Sequence, residues 1–333
     1  MNSLERYLGV LRGEAVDHLP RVPILMQYAA EYIGSNYGSF ASDHKVLVEA
    51  NLRCAEDFGF DQVSAISDPY RETQGFGGQV TYVRDGVPRC TAPMKDTTDL
   101  SVLQRPAPHK SERMLDRVNA IRAYKKRCGG RYSILGWIEG PAAEAADLRE
   151  VSNFLMDVAL NRDFACDLMD RCVDVGIEFA RAQVEAGADT IGVGDAIASQ
   201  MSPAIYEEMI LPREQRLFRA IKEMGAFIKL HICGNITHLL PGIAQLDIDM
   251  IDVDHMVDIA AVRKAVGSRV AITGNIDPVS GVRRGMPGAI RKTMREIYEK
   301  VGNPYMVNAG CEIPSCAPAE NLKALCEPIP YRR

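Results

Sequence analysis

Long apolar stretches are missing from this chain: no run in its 333 residues approaches the ~18 that a membrane-spanning helix needs. An excess of positive charge is missing too. Its 39 Lys and Arg stand against 44 Asp and Glu, a formal net charge of −5. With no general basic surface to hold a phosphate backbone, nucleic acid is not an expected partner. Aromatic residues are sparse, and Trp137 is the single tryptophan. The nine cysteines, at 54, 90, 128, 166, 172, 233, 311, 316 and 326, lack the density of a disulfide framework. They are odd in number and scattered through a chain long enough to build its own core, so most are expected to be small buried hydrophobes. No signal peptide is expected, because Met1–His18 carries Glu5, Arg6, Arg12, Glu14 and Asp17 where an apolar stretch would be needed. What is present is the ordinary globular balance of 47% apolar and 25% charged residues. A soluble, cytoplasmic protein with neither membrane nor nucleic acid as partner is the expectation.

Short apolar runs alternate with longer stretches of helical spacing. Strands are expected at Val22–Met26, Gln62–Ser67, Tyr132–Ile138, Thr190–Gly194, Phe227–Leu230, Met250–Val253, Val270–Thr273 and Tyr305–Asn308. Helices are expected between them, over Leu155–Ala186 and over Ala204–Met224, the latter opening after Ser202-Pro203 as an N-cap and first-turn proline would. Eight strand–helix units argue for parallel strands joined by crossovers, and so for a (β/α)8 TIM barrel. We expect a single domain over 1–333 with an insertion around 70–110. That stretch holds Gly75-Phe76-Gly77-Gly78 and Pro106-Ala107-Pro108, with a hairpin at Gln79–Val83 and Pro88–Ala92.

In such a barrel, chemistry belongs at the C-terminal ends of the strands, where the βα loops converge. The residues just past the expected strands are Gln27, Asp68, Glu139, Asp195, His231 with Cys233, Asp254 with His255, Asn275 with Asp277, and Cys311. Loops are polar in any case, so single carboxylates in this set carry little weight. His231 and Cys233 carry more. Two apart at a strand end, they share a face, and Cys311 follows the last strand, where it can reach the same mouth. Two thiolates and an imidazole suit Zn2+, and three protein ligands leave a fourth position open, as catalytic sites do. A buried histidine beside two inert core cysteines would read the same way, and Cys316 is an alternative third ligand.

The segments His231-Ile232-Cys233-Gly234-Asn235, Thr273-Gly274-Asn275-Ile276-Asp277-Pro278 and Asn308-Ala309-Gly310-Cys311 resemble the uroporphyrinogen decarboxylase superfamily. Within it they resemble the zinc methyltransferase branch, marked by His-x-Cys and one distant Cys. The resemblance runs from Leu4-Glu5-Arg6 through Ser67-Asp68-Pro69 and Gly140-Pro141 to Cys311. It implies a (β/α)8 barrel, zinc on His231, Cys233 and Cys311, and methyl transfer between methylcobalamin on a partner corrinoid protein and a thiol such as coenzyme M. The partner would dock over the barrel mouth.

Departures from the decarboxylase branch are equally informative. Where that branch has an arginine pair in Met-Arg-Gln-Ala-Gly-Arg-Tyr, this chain has Met26-Gln27-Tyr28-Ala29-Ala30-Glu31-Tyr32, without arginine. Gln and Glu cannot supply a guanidinium's bidentate grip on carboxylates, so uroporphyrinogen decarboxylation is not expected. Glu139, Asp195 and Asp68 are the expected catalytic carboxylates, with Glu139 also a possible fourth zinc ligand. Asn275, Asp277 and Asp254 are the expected cofactor-binding residues, and Asp254-His255 the expected second hydrogen-bonding layer behind a ligating imidazole. Trp137–Arg149 is similar to bacterial corrinoid methyltransferases that demethylate methoxylated or methylthio substrates, which leaves the direction of transfer open. A purely structural zinc protein, or a binding subunit of a corrinoid complex, is the alternative without catalysis.

Overall fold

Apolar runs bounded by turn residues fold as strands in the computed structural model, which describes residues 1–332. In chain order the strands are β1 (Gln62–Ser64), β2 (Gln79–Val83), β3 (Gly86–Thr91), β4 (Ser133–Glu139), β5 (Thr190–Gly194), β6 (Phe227–His231), β7 (Met250–Val253), β8 (Ala271–Gly274) and β9 (Tyr305–Met306). Strands β2 and β3 form an antiparallel hairpin of their own, as expected within 70–110. The other seven form one parallel sheet in the order β1-β4-β5-β6-β7-β8-β9.

The expected first strand, Val22–Met26, does not form. Pro20 and Pro23 cannot donate to a ladder, and Met26 already caps the helix Gln27–Tyr32. The ring nevertheless closes there. Pro20 and Val22 exchange hydrogen bonds with Val307 (2.7 and 2.8 Å), while Asp61 N donates to Arg21 O at 2.9 Å. Three residues thus stand in for the eighth strand of a (β/α)8 barrel, bridging the segment after β9 to the one before β1.

Two expected helices are divided. The first breaks at Asn161 into Val151–Leu160 and Arg162–Ala186. The second carries a widened π turn at Tyr206–Ile210, immediately before Leu211-Pro212, because Pro212 removes one backbone donor from the helical ladder.

Alternation along the strands separates a large outer core from two small apolar clusters inside the barrel. Ile228, Leu230, Ile251, Val253 and Ile272 face outward into the layer shared with the helices. Met250, Ala271, Met306 and Val22 face inward at the opposite end from the mouth, where Tyr7 and Val10 of the helix Ser3–Leu11 plug the barrel. Above that apolar floor the inward positions from β6 to β9 become polar, with Lys229, Asp252, Thr273 and Asn308 all buried, while Ile24, Ile66, Leu135 and Trp137 form a small apolar cluster on the β4 side.

Candidate metal centre

Strand β6 ends at His231, and alternation carries Cys233 to the same side. Cys311 arrives from the opposite side of the mouth. Gly310 before it has φ +89°, and a Cβ there would sit 2.0 Å from the Val253 carbonyl oxygen, so only glycine lets this backbone pass over the end of β7. His231 Nε2 lies 3.0 Å from Cys233 Sγ, and the two sulfurs are 3.9 Å apart. All three donor atoms fall within 4.8 Å of one another.

Zinc–sulfur bonds of ~2.3 Å at tetrahedral angles place two sulfurs ~3.8 Å apart, so the thiol pair has the right span. The imidazole–sulfur contact is shorter than a bound zinc would set, and must open by about half an ångström to admit the ion. The imidazole is buried and the sulfurs half-buried, so the set opens toward the mouth. Cys316, with its exposed side chain, is not among the grouped donors.

The other imidazole nitrogen is held as metal ligands usually are. His231 Nδ1 is 3.1 Å from Asp252 Oδ2, which leaves Nε2 facing the sulfurs. The expected partner had been Asp254. Asp254 instead accepts backbone N–H groups of Gly234 and Met256, both at 3.0 Å, and holds His255 at 2.9 Å. Sequence reasoning missed Asp252, yet the signal was there: a lone carboxylate at an inward position of an apolar strand.

Protons are shared unevenly across the set. A hydrogen bond from Cys233, opposed by burial and helped by the imidazole, brings the Cys311 thiol down to about 4. The same hydrogen bond and burial push Cys233 up. Burial opposes the charge on His231, but Asp252 and the Cys311 sulfur outweigh it and raise the imidazole to about 9. Of the two sulfurs, Cys311 is thus the one favoured to carry the negative charge that a soft cation meets.

The three expected catalytic carboxylates have different surroundings. Glu139, at the end of β4, accepts from the Arg71 guanidinium and from Trp137 Nε1 at 3.1 Å. The Trp137 ring stands edge-on to His231 with centroids 5.9 Å apart, so one indole separates Glu139 from the imidazole. Burial pushes the Glu139 carboxyl well up despite the pull of Arg71. Asp195 is fully buried, and its oxygens accept N–H groups of Ala142 (3.3 Å) and Ala143 (2.7 Å) at the start of helix Pro141–Arg149. Asp68 is clamped by Arg113 at 2.7 and 2.6 Å and also accepts from Ser67 Oγ at 2.7 Å. Despite burial, Arg113 holds the Asp68 carboxyl well below the usual carboxylate range.

The expected cofactor residues are engaged in their loops. Asn275 donates to Val257 O (2.8 Å) and Asp254 O (3.2 Å), and Asp277 caps the turn Pro278–Arg283 through Val279 N (2.7 Å) and Ser280 N (3.0 Å). Sequence reasoning also missed Arg71, fully buried between Glu72 and Glu139. It opens the five-residue helix Arg71–Gly75, which is too short to offer a periodic signal.

Comparison with known proteins agrees with this architecture. A methylcobamide:CoM methyltransferase of Methanosarcina mazei is 27% identical over 339 residues, covering 97% of this chain and 96% of that protein. A uroporphyrinogen decarboxylase of Microcystis aeruginosa is 24% identical over 337 residues, covering 96% and 95%. A solved methyltransferase structure from Methanosarcina mazei superposes with a TM-score of 0.89 at 24% identity, over 98% of this chain and 97% of that one. The family model described as uroporphyrinogen decarboxylase (URO-D) matches residues 2–329, and this chain belongs to that family.

Proposed function

We propose that this chain is a corrinoid-linked methyltransferase that holds zinc through His231, Cys233 and Cys311 and methylates a small-molecule thiol. The observation that carries the proposal is the convergence of one imidazole and two sulfurs within 4.8 Å at the barrel mouth, with Asp252 on the far imidazole nitrogen. The names of the Methanosarcina relatives, methylcobamide:CoM methyltransferases, support both the reaction and a thiol of that kind.

Bound zinc would supply Lewis acidity, which keeps a substrate thiol deprotonated and nucleophilic at neutral pH. His231, Cys233 and Cys311 then act as ligands, and their two sulfurs keep the site electron-rich. Asp252 fixes the ring so that Nε2 stays on the ligand side. Trp137 walls one flank and limits water there, while Glu139 behind it, raised by burial, can hold a proton. A methylcobalamin carried by the partner would supply the methyl group: the substrate sulfur would gain the S–CH3 bond and the electron pair of the broken Co–CH3 bond would stay with the corrinoid. The partner corrinoid protein must approach the loops that follow the strands, because the two half-buried sulfurs lie on that side.

The decarboxylase relatives point to another reaction, but Asp68 is already neutralised by Arg113, and the Met26–Tyr32 segment carries no arginine. The test is zinc-dependent demethylation of free methylcobalamin by a panel of thiols including coenzyme M and homocysteine. Transfer should appear with the wild-type chain and vanish in Cys233→Ala with circular dichroism unchanged. If no thiol supports it, the opposite direction, with methoxylated or methylthio donors and Co(I), becomes the surviving form. Failure of both leaves no methyltransferase.

A further inference from the structure

We infer that Lys229 is a positioning residue of the metal centre, acting through Asp252 to hold the His231 ring; the inference rests on the zinc reading and names a residue that reading does not use. Lys229 and Asp252 are both 0% exposed, in the inward layer directly above the apolar floor. A lysine is almost never buried so completely, because its ammonium gives up all hydration. Here the return is small. Nζ lies 3.1 Å from Asp252 Oδ1, but it meets no acceptor in hydrogen-bond geometry among the described residues. A methionine would fill the same space without that cost, so packing does not explain the residue.

Its position does. Four successive barrel segments each contribute one inward polar side chain: Lys229 from β6, Asp252 from β7, Thr273 from β8 and Asn308 just past β9. Asp252 Oδ1 takes Lys229, Asn308 Nδ2 at 2.9 Å and the Thr273 hydroxyl. Its Oδ2 is left for His231 Nδ1 at 3.1 Å. One carboxylate oxygen is thereby anchored from three sides, and the other is aimed at the imidazole.

The charge count agrees. Zinc with two thiolates is neutral, and Lys229 cancels Asp252, so the buried centre carries no net charge. Without Lys229 the carboxylate is a lone charge in the barrel interior, where it is poorly stabilised as an acceptor. Simple repulsion between the ammonium and a zinc ion would act the other way, so the sign of the change separates the two effects.

The experiment compares wild type, Lys229→Met, Asp252→Asn and the double variant. Zinc dissociation constants come from competition with a chromophoric chelator, cobalt(II) spectra report ligand geometry, and thermal denaturation of the metal-free proteins reports folding. Lys229→Met should weaken zinc binding about 10–100-fold, the range seen for partners behind a ligand, and alter the cobalt bands. Asp252→Asn should do the same, and the double variant should bind within about threefold of Asp252→Asn, because both act through one contact. Unchanged or tighter zinc in Lys229→Met, or additive losses in the double variant, would overturn the inference. If Lys229→Met does not fold, the double variant has no unpaired charge, and its comparison with Asp252→Asn still decides: a difference well beyond threefold refutes action through Asp252. Wild-type protein that binds no zinc refutes the metal reading itself and, with it, this inference.

Discussion

Replacing Cys311 by alanine removes one donor from a set of three without disturbing what holds the other two. His231 keeps Asp252, and Cys233 stays on the β6 side of the mouth. Structural zinc sites with four ligands bind with an apparent ~10–16 kcal/mol at neutral pH, so one ligand's share is ~2.5–4 kcal/mol. At ~1.4 kcal/mol per tenfold, Cys311→Ala should weaken zinc by about 10²–10³-fold. The fold should survive. The side chain is half-buried, its Sγ touches Cys233 Sγ at 3.9 Å, and Gly310, which shapes the loop, is untouched. The assay is zinc content after exhaustive buffer exchange, followed by chelator competition, with circular dichroism as the control. Wild type should retain about one zinc per chain, because of the two three-donor groups, His231-Cys233-Cys311 and Asp43-His44-Asp116, only the first offers the sulfur donors that suit zinc. Stoichiometric zinc in the alanine variant, at wild-type affinity, would refute Cys311 as a ligand and leave the 3.9 Å sulfur contact without a role.

Two further outcomes follow from the carboxylates. Asp68→Asn leaves Arg113 as a buried charge without its partner, and should cost ~3–5 kcal/mol in urea unfolding; Asp68→Asn with Arg113→Met should recover part of it, and a loss below ~1 kcal/mol would refute the clamp. Because Arg113 holds the Asp68 carboxyl below its ordinary value, the pair's contribution is full above pH ~4–5 and is lost as pH falls further. Removing both partners should therefore flatten the acid limb of the stability profile. Uroporphyrinogen should not be converted to coproporphyrinogen at any useful rate; measurable turnover abolished by Asp68→Asn would place this chain in the decarboxylase branch.

Local pattern alone determined much of this protein. Short continuous apolar runs marked seven parallel strands to within a few residues, because a strand buried on both faces must be apolar nearly throughout. His-x-Cys at a strand end put two donors on one side, because side chains two apart in extended backbone share a face. The strand expected at Val22–Met26 was misplaced because the ring closes instead through Pro20, Arg21 and Val22, and closure depends on where Val307 and Asp61 arrive. The carboxylates were legible as strand-end residues but not in their roles. Whether an acid backs the imidazole, as Asp252 does, caps a helix, as Asp195 does, or pairs with an arginine, as Asp68 does, depends on partners 21, 52 and 45 residues away. The letters determined which groups could bind a metal; only closure of the barrel decided which of them meet, because Cys233 and Cys311, 78 residues apart, come together only once β6 and the loop beyond β9 face one another across the mouth.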